Sequence, residues 1–148
     1  MEQKKMTQSK EITILAIAGG IGFWAANFAI SLTPIAAEYR AALSISYLPM
    51  LLEALLGGLN IGCCVSYVLL RFFDKLPTKN PILKSVILSF IVLLIATLLI
   101  EVPAKFFTPT SDAMRYFFIA AIFNVIRILA LGIVIGYRYD KLNGSVRK

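Results

Sequence analysis

Residues 49–65 read PMLLEALLGGLNIGCCV. One carboxylate, Glu53, sits in a run that is otherwise apolar enough to cross a membrane. The run extends outward to Tyr47 and Leu70. At about 1.5 Å per residue, a helix of that length crosses a hydrocarbon core about 30 Å thick. Three further runs have the same character: Ile12–Leu32, Ile82–Val102 and Met114–Gly136. Their apolar residues are clustered rather than periodic, as spanning segments require and the half-buried helices of a soluble domain do not.

Composition supports this reading. The chain has 148 residues, 59% hydrophobic and 16% charged, whereas soluble domains carry about 45–50% apolar and about 25% charged residues. Four spans leave no length for a separate soluble domain. The expected architecture is an all-α integral membrane protein, a four-helix transmembrane bundle forming one domain over residues 1–148. A basic head (1–11) and a basic tail (137–148) flank it. The head resembles the charged start of a signal peptide, but the apolar run behind it exceeds the 7–15 residues typical of such a segment. A retained helix is the better reading.

Local chemistry marks the boundaries. Ser46 followed by Pro49 suits the start of the second span. Asn80-Pro81 supplies a capping side chain and a first-turn proline for the third, which Pro103 stops. Thr110-Ser111-Asp112 precedes the fourth. Between the first two spans, Thr33-Pro34 and IAAEYRAAL predict a two-turn interfacial helix capped by Thr33. Phe106 and Phe107 fit a headgroup level.

Lysine and arginine set the orientation. Eleven lie in the head, in the loop between spans two and three with its edge, and in the tail; Arg40, Lys105 and Arg115 lie on the other side. Both termini are therefore expected on the cytoplasmic side of a cell membrane, which the chain crosses several times. The net charge of +7 serves topology and contact with anionic headgroups. No basic stretch is long enough to dock nucleic acid. Phe73-Asp74-Lys75-Leu76 recurs as Tyr139-Asp140-Lys141-Leu142, each just after a span. The spans themselves do not repeat, which favours convergent use of an aromatic and basic boundary belt.

Lipid gives helices no hydrophobic reason to associate, so small residues mark where backbones meet. Candidate packing residues are Gly19 and Gly22 in the first span, Gly58 and Gly62 in the second, and Gly132 and Gly136 in the fourth. Gly19–Gly22 and Gly58–Gly62 fall at similar depth, so spans one and two are expected to cross there. The third span has no glycine and is expected to be the most lipid-exposed, or to face a partner protein.

Polar residues at depth are the candidate site. Arg127 falls near the middle of the fourth span, where insertion costs about 2.5–3.5 kcal/mol. Glu53 lies about 9 Å inside the outer boundary. Asn124 shares a face with Arg127, Asn60 lies two turns from Glu53, and Asn27 is at nearly the depth of Glu53. These five predict a polar seam among spans one, two and four. It serves as a register-fixing Glu53–Arg127 pair, as a proton-, ion- or anion-responsive site, or as a pair made with a second subunit.

Catalysis has little to stand on. The chain has no histidine, which removes histidine-based zinc, haem and nucleophile chemistry. No phosphate-binding glycine loop follows a strand. Cys63 and Cys64 are adjacent, which disfavours a disulfide between them. No catalytic residue, metal site or cofactor is expected. The expected function is a non-catalytic accessory or structural subunit of a membrane complex, with the bilayer and another membrane protein or copies of itself as partners. The alternative is a homo-oligomeric small-solute or ion transporter or channel using the Glu/Arg/Asn seam.

Overall fold

A computed structural model describes residues 2–103 and 112–143. The described residues form helices: α1 (Glu2–Ser31), α2 (Pro34–Ala42), α3 (Tyr47–Phe72), α4 (Pro81–Ala96) and α5 (Ala113–Asn143). A 3-10 turn (Phe73–Lys75) follows α3, and a π turn (Thr97–Glu101) extends α4. Four helices among the described residues, α1, α3, α4 and α5, are long and apolar enough to cross a membrane. The protein is a multi-pass membrane protein in architecture. The helices outrun the apolar runs at the termini: α1 starts at Glu2 and α5 continues to Asn143.

The caps explain several boundaries. Asn80 accepts from the amides of Ile82 at 2.9 Å and Leu83 at 3.4 Å, with Pro81 in the first turn of α4. Thr33 Oγ1 accepts from Ala36 N at 3.3 Å and opens α2, the expected two-turn helix. Ser46 occupies the N-cap position of α3, but its side chain makes no capping bond. Thr110, Ser111, Phe106 and Phe107 lie outside the described residues.

Packing follows a ring. α1 lies between α3 and α5, and α4 closes the ring against α5 and, over a shorter stretch, α3. Glycines allow each main approach. A Cβ on Gly62 would sit 2.8 Å from Ala16 O, and one on Gly20 would sit 3.1 Å from Leu59 Cα, so α1 and α3 cross nearly backbone to backbone. Gly58 faces Phe23 and the Gly20 carbonyl in the same crossing. Gly19 and Gly22 turn away from α3 and receive Ile135 and Val134 of α5. Gly132 and Gly136 admit the Val86 and Ile82 backbones of α4.

The two ends of the bundle differ. At the end carrying both termini, Leu15, Val65, Leu69, Leu88, Leu131, Ile135, Phe73 and Tyr139 form a filled core. Phe73 and Tyr139, the matching positions of the two short sequence repeats, stack on each other at 4.7 Å. They are buried, so these aromatics belong to the core and not to a boundary belt. Lys84 is buried there too; its ammonium donates to the Phe73 carbonyl and lies 3.6 Å from the centre of the Phe73 ring. The third span is therefore not uniformly outermost. Its first half buries Lys84, Ser85, Leu88 and Ser89, whereas Ile91, Leu94, Ile95, Leu98 and Leu99 are exposed. The glycines of α5 draw in only the half they face.

Candidate functional site

At the other end α2 lies across the bundle, held by contacts to three helices. Glu38 pairs with Arg115 of α5 at 2.7 Å. Tyr39 meets Tyr116 and Phe123 of α5 edge to face at 6.0 and 5.9 Å. Arg40 donates from Nη1 to the Ser31 carbonyl at 3.1 Å, at the C-terminal end of α1, where the helix dipole favours a cation. Its guanidinium also lies 5.1 Å from the centre of the Tyr47 ring of α3. Ala36, on the inner face of α2, is buried beside Ile30 and Phe123.

Beneath α2 the packing leaves a cavity of about 180 Å³. Its polar lining comes from α1 (Asn27, Ser31), α2 (Tyr39, Arg40), α3 (Glu53) and α5 (Arg127). Three of the five residues expected in a polar seam, Asn27, Glu53 and Arg127, thus meet on one wall system. Glu53 and Arg127 share the cavity without closing to an ion pair of 4 Å or less among the described residues. Glu53 is exposed, at the rim.

Arg127 is held in place by its surroundings. Its Nη1 donates to Asn124 Oδ1 at 3.1 Å, one turn earlier on α5. The rings of Phe23 and Phe123 lie 6.0 and 5.9 Å from the guanidinium carbon. Asn124 therefore positions the arginine. Asn27 is only 1% exposed, and its Nδ2 has no hydrogen-bond partner among the described residues. Burying an amide donor in this state costs about 1–3 kcal/mol.

Asn60 departs from the expected seam. It lies on the outward face of α3, away from the cavity. At about 100° per residue, Glu53, Gly57, Asn60, Cys64 and Tyr67 fall within roughly 80° of arc. The buried residues Gly58, Gly62, Val65, Ser66 and Leu69 occupy the opposite side of the same helix. Asn60, Cys64 and Tyr67 are exposed, and a Cβ on Gly57 would find nothing within 4 Å among the described residues. α3 is an inverted amphipath: its core face is apolar or small, and its outward face carries an amide, a carboxylate, a phenol and a thiol.

Sequence reading missed Arg40, Tyr39 and Ser31 as site residues. The available signal was the Thr33 cap, since a short helix beginning there has to fold back over the bundle and carry Arg40 with it. No protein-family model matches the chain, and no curated protein or solved structure resembles it significantly.

Proposed function

We propose that the protein is a non-catalytic structural subunit of a cell-membrane assembly, oriented with both termini in the cytoplasm, and that it associates with a second copy of itself through the outward face of α3. The polar stripe from Glu53 to Tyr67 carries this reading. Asn60 lies 13 residues into a 26-residue helix, which puts its amide near the bilayer midplane. An amide facing hydrocarbon there costs several kcal/mol unless it is bonded.

Several observations favour a second copy as the occupant. The eleven-to-three charge bias gives every copy the same orientation. A two-fold axis along the membrane normal then brings identical residues together at one depth. An asparagine amide is donor and acceptor at once, so two Asn60 side chains satisfy each other. Gly57 has no packing role among the described residues, yet a mid-helix glycine costs about 1 kcal/mol relative to alanine. Close approach of a neighbouring helix accounts for it.

The transport alternative has the cavity in its favour. However, the cavity lies under α2, and the half of the bundle that carries the termini is filled by the main core. A contact made through a glycine also brings two backbones together and leaves no bore between them. A structural subunit agrees better with both features.

Cys64 makes the test direct, because it lies on the stripe while Cys63 is about 100° away round the helix. Mild oxidation of membranes should link the Cys63→Ser protein into a dimer and leave the Cys64→Ser protein monomeric. Asn60→Leu should weaken the dimer roughly threefold to thirtyfold, from an interhelical hydrogen bond of about 0.6–2 kcal/mol. Monomer in native mass spectrometry, or linkage through Cys63 alone, sinks the proposal. A stoichiometric foreign helix on the same face keeps the subunit role and removes the second copy.

A further inference from the structure

We infer that the cavity beneath α2 is a binding site for a phosphate group, either the headgroup phosphate of an anionic phospholipid or a free phosphate. The inference does not depend on self-association, which rests on Asn60 and Gly57, neither of which lines the cavity.

The chemistry of the lining decides the ligand class. Arg40 and Arg127 bring two charges that cannot be discharged by losing a proton. Asn27 contributes a buried amide donor with no partner among the described residues, and Tyr39 a phenol. Against these stands one carboxylate, Glu53, exposed at the rim. The formal charge of the lining is therefore positive, and the donor it leaves without a partner among the described residues is Asn27 Nδ2. Such a site suits a ligand that accepts hydrogen bonds and carries negative charge.

Geometry narrows the class further. The donors arise on three separate elements: Asn27 on α1, Tyr39 and Arg40 on α2, and Arg127 on α5. A planar carboxylate presents its lone pairs in one plane, whereas the tetrahedral oxygens of a phosphate reach donors on several walls. The volume, about 180 Å³, lies below the roughly 300–1,000 Å³ of pockets for drug-sized ligands. It suits a single small polar group. Asn124 acts here as a positioning residue, holding the Arg127 guanidinium through Oδ1.

The experiment uses the full chain, stripped of lipid in a neutral detergent. Melting is followed by the fluorescence of Trp24, the single tryptophan. Inorganic phosphate is titrated at constant ionic strength against chloride. In parallel, the protein is placed in nanodiscs of phosphatidylcholine with or without phosphatidylglycerol, and retained lipid is counted by native mass spectrometry. Saturable stabilisation by inorganic phosphate identifies a free-phosphate site. Selective retention of phosphatidylglycerol, with no response to inorganic phosphate, identifies a headgroup site.

In either case Arg127→Gln and Arg40→Gln should each weaken binding about tenfold or more, the worth of a charge-assisted hydrogen bond. Asn27→Leu guards against misfolding of the arginine variants, because it removes the unpartnered donor without disturbing a charge. It should fold normally and bind more weakly. No response to either probe, or equal binding by all three variants, overturns the site.

Discussion

At the scale of single residues, glycines separate two kinds of contact. Gly136 lies against the Ile82 backbone of α4, and a Cβ there would meet Pro81 O at 3.0 Å. Backbone cannot yield as a flexible side chain does. Gly136→Ala should therefore lose about 1–3 kcal/mol, the usual cost of overpacking, measured by unfolding in mixed detergent micelles with Trp24 as reporter. Gly57→Ala should leave the monomer as stable or more stable, because nothing lies near the added methyl and alanine favours helix by about 1 kcal/mol. Equal losses at both sites would contradict this division. The sequence marked Gly19, Gly22 and Gly136 as packing positions but not their neighbours. Gly19 and Gly22 meet α5 rather than α3, because a helix in a ring has two neighbours and spacing alone cannot rank them.

At the scale of elements, the caps provide a matched pair. Asn80 and Ser46 both stand where a helix begins, and by residue type both suit the task. Only Asn80 makes the bonds, to the amides of Ile82 and Leu83. Asn80→Ala should cost about 0.5–2 kcal/mol, whereas Ser46→Ala should change stability by less than about 0.5 kcal/mol, as surface substitutions usually do. Thermal melts of the two variants side by side measure the contrast. Cap position was legible in both cases. Whether the hydroxyl turns to the amides depends on a rotamer that sequence does not specify. The short repeat was misread for a similar reason. Aromatics after a span suit a boundary belt, yet helices extended beyond their apolar runs carry Phe73 and Tyr139 into one stack. α2 shows the converse. Its cap and its length were legible, but the placement of Arg40 over the bundle needed tertiary structure.

At the scale of the whole molecule, hydropathy made the four spans legible because each must bond its backbone internally and bury no water. The ring order of the spans was not legible, since their lipid-facing and partner-facing residues are alike. The cavity was half legible. Charge at depth pointed to Glu53 and Arg127, but Asn60 has the same composition signal and faces the other way. Orientation remains the property that links charge to architecture, and it can be tested on the intact chain. With Cys63 and Cys64 replaced by serine, a thiol is introduced at exposed Ala42, the last residue of α2, or at exposed Lys79, in the loop before α4. The charge asymmetry predicts that a membrane-impermeant maleimide applied to intact cells labels Ala42→Cys and spares Lys79→Cys, with the pattern reversed in inside-out vesicles. Labelling of both from one side would mean mixed insertion. Copies of opposite orientation would then bring Glu53 of one stripe toward Tyr67 of the other, and the parallel Asn60 pairing would no longer follow.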